Sequence, residues 1–154
     1  MASIQYDVIF NSFLGNITDY DFVKMSISDS YELMTEYLHK SVADPYIQHL
    51  FSSVSLDDKI QVLTFELKRS VNDEVDEDFI STALGKWMVY EWLHKQVRSV
   101  VNTAQFFGGK EQRMYSQAQH IAELRGLQDD AFSEARFFIQ NRGYISNTYL
   151  DGGV

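Results

Sequence analysis

Two Glu-x-x-His pairs are the residues in this sequence that are best spaced for metal chemistry. Glu36 precedes His39 in the first pair, and Glu91 precedes His94 in the second. Residues three apart lie on the same side of a helix, so each pair could bind one metal ion, as such pairs do in ferritin-like di-iron bundles. A ferritin-like metal-binding bundle is therefore one hypothesis for this chain.

The first pair faces the wrong way for such a site. At about 100° per residue, Glu36 points roughly 150° away from the apolar stripe of its helix, which contains Met34 and Leu38. The first predicted helix also offers only Asp7 where a ferritin-like bundle needs a further glutamate. We therefore interpret both pairs as solvated or edge positions, expect no metal or other cofactor, and keep the metal-binding bundle as an alternative.

The remaining residue types form no catalytic pattern. The Gly-Gly-Lys sequence at 108–110 lacks the spacing of a phosphate-binding loop, because Glu111 follows the lysine instead of Ser or Thr. The chain has no cysteine, which excludes a thiolate nucleophile, a disulfide and a cysteine-rich zinc site. His49 and His120 have no second metal ligand at helical spacing. We expect that the protein is not an enzyme.

Composition indicates a folded protein that associates with other proteins. The 154 residues are enough for one domain, and 45% are hydrophobic, with a single proline. Aromatic residues make up 14% of the chain, and exposed aromatic side chains are favoured at protein interfaces. We therefore expect a single domain, residues 1–154, that takes part in an assembly.

The charge balance disfavours binding to nucleic acid or to anionic membranes. The formal net charge is -9, which repels phosphate groups. The N-terminus has no basic region before its apolar residues, and no stretch approaches 18 uninterrupted apolar positions. We expect a protein that is synthesised in the cytoplasm and is neither secreted nor embedded in a membrane.

Hydrophobic periodicity predicts a mainly α-helical bundle. A first helix begins at the capping residue Ser3 and ends at Gly15, and a second covers about 28–42, before Pro45. Residues 60–68 alternate as a short strand or extended arm would. A third helix, about 77–104, is apolar almost all round, and a fourth covers about 110–140. These last two helices are predicted to form a long antiparallel hairpin.

Three segments of the second half of the chain are found together in one family. They are residues 106–112 (Phe-Phe-Gly-Gly-Lys-Glu-Gln), residues 115–120 (Tyr-Ser-Gln-Ala-Gln-His) and residues 142–152 (Arg-Gly-Tyr-Ile-Ser-Asn-Thr-Tyr-Leu-Asp-Gly). In this order they resemble the head-tail connector, or neck adaptor, proteins of tailed bacteriophages. The acidic residues that lead into a Trp-rich helix at 76–93 are similar to the preceding element of that family. The resemblance covers roughly residues 60–152, and only a loose similarity is seen at 6–22.

The resemblance implies a structural function in the virion neck. Connectors of this family are helical, form homo-oligomeric rings that are usually twelve-fold, and are assembled in the cytoplasm of the bacterial host. They bind the portal protein on one side and the next neck or tail-completion protein on the other. DNA passes through the enclosed channel without being bound specifically. A small acidic regulatory protein that acts as a monomer or dimer is a further alternative.

Three groups of residues are candidates for the contacts of such an assembly. The C-terminal tail, residues 142–154, is predicted to be an arm, and its candidate portal or partner contacts are Tyr144, Ile145, Tyr149 and Leu150. The candidate subunit-interface or core residues are Trp87, Trp92, Phe106 and Phe107. The candidate acidic channel or solvent face consists of Asp73, Glu74, Asp76, Glu77 and Asp78. A negative channel wall fits a ring that lets DNA slide.

Overall fold

The prediction of a mainly α-helical fold is confirmed. The computed structural model describes the backbone of residues 1–17, 26–106 and 111–145, and the side chains of these residues other than 100–106, 111–117 and 143–145. Its elements are β1 (Ala2–Gln5), α1 (Tyr6–Gly15), α2 (Ile27–Ala43), α3 (Pro45–Gln48), β2 (Phe51–Asp57), β3 (Val62–Leu67), α4 (Asp73–Phe106) and α5 (Glu111–Ile145). Within these described ranges, no helix combines the length and the apolar character that crossing a membrane requires.

A three-stranded antiparallel sheet accompanies the helices, with the strand order β1-β3-β2. The strand predicted at 60–68 is β3, and it lies in the centre of the sheet. The prediction that Ser3 caps the first helix is wrong, because Ser3 lies in β1 and pairs with Thr64. Ile4 is buried by the alternation of that strand, and α1 begins only at Tyr6.

Local capping explains where the second helix begins and ends. The side chain of Ser26 accepts a hydrogen bond from the Asp29 N–H (3.1 Å) and so caps the first turn of α2. Asp44 breaks the helix with an extended backbone and then caps α3, where its carboxylate accepts a bond from the Tyr46 N–H (2.9 Å). Pro45 occupies the first position of α3, which needs no N–H donor.

Helices α4 and α5 form the predicted antiparallel hairpin. Contacts between them run in opposite directions along the chain, as shown by the pairs Lys86–Glu134 (2.6 Å) and His94–Gln128 (2.8 Å). We call the end of the hairpin where α4 begins and α5 ends the hairpin base. Helix α4 also packs against α1, α2 and β1. Its largely apolar surface is therefore covered by its own chain on more than one side.

Trp87 is the largest side chain that is fully buried in the core, with 1% of its surface exposed. Its ring stacks on Tyr46 of α3 at 5.4 Å and meets Phe132 of α5 edge-on at 5.7 Å. Trp92 is half-buried and packs against the same core. Phe106 ends α4 without a described side chain, and Phe107 lies outside the described residues.

Helix α1 lies very close to α4 at Gly85. A Cβ atom at this position would lie 2.8 Å from the Ser12 Cβ and 3.1 Å from the Phe13 backbone nitrogen. We expect Gly85→Ala to destabilise the protein by about 1–3 kcal/mol, because the two helices must move apart. Urea unfolding would measure this change in the free energy of unfolding.

Gly126 provides the matched control for this substitution. It lies in α5 with no atom within 4 Å of an added Cβ, so Gly126→Ala should stabilise the protein by about 0.5–1 kcal/mol through helix propensity alone. If Gly85→Ala were equally stabilising, α1 and α4 would not be in close contact at Gly85.

Candidate functional site

An ion pair between Asp76 and Arg142 closes the hairpin base. The Arg142 guanidinium donates to the Asp76 carboxylate at 2.6 Å, and the two residues are 66 positions apart. The Asp76 side chain is only 3% exposed and that of Arg142 is 16% exposed. The guanidinium also lies 4.2 Å from the centre of the Phe79 ring and donates to the Arg69 carbonyl oxygen at 3.2 Å.

Further hydrogen bonds complete the surroundings of the Asp76 carboxylate. The Ser70 hydroxyl donates to it at 2.6 Å and the Val71 N–H at 3.2 Å. Burial alone would raise the pKa of Asp76, but the bonds from Ser70, Arg142 and Val71 outweigh this effect and lower the pKa below its ordinary value. The carboxylate therefore stays ionised and ties the start of α4 to the end of α5.

The predicted acidic face needs one correction. Asp76 is 2% exposed and faces the interior of its own chain, because Arg142 supplies the positive charge that makes its burial favourable. Asp73, Glu74 and Asp78 are exposed, and Glu77 is half-buried. An acidic surface at the hairpin base can therefore contain the other four residues but not Asp76.

The first residues of the predicted C-terminal arm are helical. Helix α5 extends to Ile145, so residues 142–145, including Tyr144, are helical and not part of an extended arm. The side chains of Tyr144 and Ile145 are not described, and Tyr149 and Leu150 lie outside the described residues. The predicted portal contacts of these four residues stay a prediction.

Exposed apolar side chains occur at the hairpin base. Val71 and Val75 are exposed, and together with Phe79 and Phe138 they line an open depression of ≈ 490 Å³. Phe137 is 65% exposed. Two residues, or about 200°, separate it from the buried Ala135, so Phe137 lies on the side of α5 that faces away from α4. Apolar surface of this kind is favourable to bury against another protein.

The first Glu-x-x-His pair is on the surface. Glu36 is exposed, as predicted, and accepts a hydrogen bond from Lys40 at 2.8 Å. His39 points to a different carboxylate, with its Nε2 atom 2.8 Å from Asp58. Because Glu36 contacts Lys40 and His39 contacts Asp58, the carboxylate and the imidazole of the pair are not directed at one metal-binding point.

The second Glu-x-x-His pair is half-buried in α4. His94 is hydrogen-bonded through Nδ1 to Gln128 of α5 at 2.8 Å. Burial raises the pKa of Glu91, and Asp44 adds to the rise, while His94 and Lys40 oppose it. Across the part of the chain that the structure describes, no group of three or more His, Asp or Glu side chains is arranged to hold a metal ion.

The two remaining histidines are at the surface. His49 is exposed and meets the Tyr46 ring edge-on at 5.4 Å. His120 is exposed on α5. Within the described residues, neither histidine belongs to a group of three or more side chains that could hold a metal ion.

A polar contact that the sequence did not reveal joins three N-terminal elements. The Tyr6 hydroxyl, at the start of α1, donates to Asp58 at 2.6 Å, and Asp58 also contacts His39 of α2. Burial and the bond to Asp58 raise the pKa of Tyr6. The bonds from Tyr6 and His39 in turn lower the pKa of Asp58. These residues tie the β2–β3 turn to both helices.

Comparisons with protein-family models, with curated proteins and with solved structures give no match. The geometry of the described residues and the resemblance of the sequence segments are therefore the two lines of support for a function.

Removing one partner of the Asp76–Arg142 pair should destabilise the protein strongly. Arg142→Met keeps much of the side-chain volume but leaves a buried carboxylate without its cation, so we expect a loss of about 3–5 kcal/mol in the free energy of unfolding. Lys40→Met is the control, because it breaks a surface pair with Glu36 and should cost about 0.5 kcal/mol or less. Urea unfolding at neutral pH measures both, and equal losses would contradict a buried role for Arg142.

The ionisation of Glu91 should make the stability of the folded chain depend on pH. Its raised pKa means that the ionised side chain is less favourable in the folded chain than in the unfolded chain. Stability therefore increases as the pH falls through the raised pKa, and this gain is complete below the ordinary value of 4.5. We expect Glu91→Gln to be more stable than wild type at pH 7, with a difference that shrinks towards pH 4.

Thermal unfolding at the two pH values measures this difference. Glu123→Gln, at an exposed position of α5, is the control and should change little at either pH. A constant difference between Glu91→Gln and wild type across this range would show that the burial of Glu91 does not affect its ionisation.

Proposed function

We propose that this chain is a structural adaptor of the tailed-bacteriophage neck. Copies of it form a homo-oligomeric ring that binds the portal on one side and the next neck or tail protein on the other, with DNA passing through the centre. The segments at 106–112, 115–120 and 142–152 that resemble head-tail connectors support this family. The work of such a protein is assembly and not catalysis.

The observation that carries the proposal is the exposed apolar surface at the hairpin base. Phe137 projects from the outer side of α5. Val75 of α4 and Val71, which precedes this helix, line the depression at the same end of the hairpin. Large aromatic side chains that become buried in an interface supply much of its binding energy. A neighbouring subunit that covers Phe137 would remove this apolar area from water.

The charge distribution supports passage of DNA without binding. The net charge is -9, and Asp73, Glu74 and Asp78 are exposed near the hairpin base. Asp76 contributes no free charge to this surface, because Arg142 balances it. In the proposed ring, the three exposed carboxylates face the channel and repel the phosphate backbone.

Imaging with the portal tests the adaptor function. Purified portal rings would be examined by negative-stain electron microscopy with and without the protein. We expect an additional ring-shaped layer on one face of the portal. Portal particles that are unchanged by an excess of the protein would contradict the proposal.

Phe137 should be needed for self-association. Phe137→Glu places a charge in the proposed interface, and we expect self-association to weaken by about tenfold or more. Sedimentation velocity over a range of concentrations measures this change. Ile60→Glu is the control, because Ile60 is 68% exposed and lies in the β2–β3 turn, away from α5. Equal effects of the two substitutions would show that Phe137 is not at a subunit interface.

A further inference from the structure

A second pocket shares Phe79 and Arg142 with the apolar depression. It has a volume of ≈ 440 Å³ and lies between the last turns of α5 and the chain around the sheet. Its floor is apolar and is formed by the buried residues Leu67, Phe79 and Ile139. Pockets of about 300–1,000 Å³ with an apolar lining are typical binding sites.

The rim of this pocket is positively charged. Lys68 and Arg69 line it and are exposed, and Arg142 lines its inner side. None of the lining residues is Asp or Glu. Among the described residues, the side chains of Lys68 and Arg69 take part in no ion pair. The pocket therefore combines an apolar floor with a positively charged rim. This chemistry fits a bulky apolar side chain that is followed by a carboxylate.

The sequence of this chain contains a segment with that chemistry. Tyr149 and Leu150 are large apolar anchors, and Asp151 follows them directly. The carboxylate of Asp151 can pair with Lys68 or Arg69 at the rim while an anchor is buried on the floor. The segment therefore matches the pocket both in its apolar side chains and in its charge.

An adjacent copy is the better source of this segment than the same molecule. Helix α5 continues past Arg142 to Ile145, so a segment of the same molecule would have to turn back along its own helix to reach Ile139. Three residues separate Ile145 from Tyr149, so the Cα atoms of these two residues lie at most about 14 Å apart. A neighbour whose α5 ends within that distance of the pocket can reach it without reversal.

We propose that the pocket lined by Leu67, Lys68, Arg69, Phe79 and Ile139 binds the Tyr149-Leu150-Asp151 segment of a neighbouring copy. This inference rests on the proposed ring, because it requires adjacent subunits. It assigns the contact that links each subunit to the next: apolar anchoring on the pocket floor, with a carboxylate held by the cations of the rim.

Introduced cysteines test this contact in the full-length chain, which has no cysteine of its own. One variant carries Gln140→Cys at the pocket, and a second, distinguished by a size tag, carries Gly152→Cys beside the anchors, which stay intact. The two are mixed, oxidised mildly and analysed on a non-reducing gel, while native mass spectrometry of the same mixture reports whether it has assembled. We expect a disulfide-linked heterodimer.

Gln119→Cys provides the matched control in place of Gln140→Cys. Gln119 is also an exposed glutamine of α5, about 30 Å away along the helix, and should give several-fold less heterodimer. Lys68→Glu added to the pocket variant should also reduce the yield several-fold, whereas Lys59→Glu in the distant β2–β3 turn should not.

The outcomes separate this inference from the proposed function. An assembled mixture with no more heterodimer than the Gln119→Cys control would overturn the inference and leave the ring. A disulfide that forms only within single chains of a Gln140→Cys and Gly152→Cys double variant would also overturn it, because the pocket would bind the segment of its own molecule. A mixture that stays monomeric both alone and with purified portal rings would overturn both.

Discussion

Helix α4 needs cover on more than one side, and the other elements of the fold are arranged to supply it. Buried residues such as Ile80, Met88 and Leu93 occur around its circumference, so one packed neighbour is not enough. Helices α1 and α2 and strand β1 contact it, and α5 runs antiparallel along it. Gly85 lets α1 approach closely. Because α5 contributes only part of its circumference to this cover, Phe137 on its outer side stays exposed, and the proposed ring would place another subunit there.

The Asp76–Arg142 pair connects this architecture to the proposed function. It holds together the two helix ends at which the apolar depression, the exposed carboxylates and the cationic pocket all occur. The guanidinium also stacks on Phe79, which lines both cavities. A buried ion pair with several hydrogen bonds fixes geometry more than it adds net stability. In the proposed ring, this geometry would hold the surfaces of the hairpin base in a fixed arrangement towards neighbouring proteins.

The sequence predicted those parts of the fold that depend on local pattern. Periodicity indicated α2, α4 and α5, and alternation indicated β3. Strand β1 was missed because four residues before a helix give too short an alternation, and Ser3 is an ordinary capping residue there. The burial of Asp76 was missed because its partner lies 66 residues away, and nothing in an acidic run distinguishes the residue that is buried. Long-range pairs of this kind, including Tyr6 with Asp58, can be found only once the chain is folded.

The number of subunits in the assembled protein is the most direct test of the account. Native mass spectrometry of the purified wild-type chain, alone and in the presence of the portal, measures it without labels or substitutions. The account predicts a closed ring of many copies, formed either alone or on the portal. A chain that remains a monomer or dimer under both conditions would contradict the adaptor function and would favour a small acidic regulatory protein.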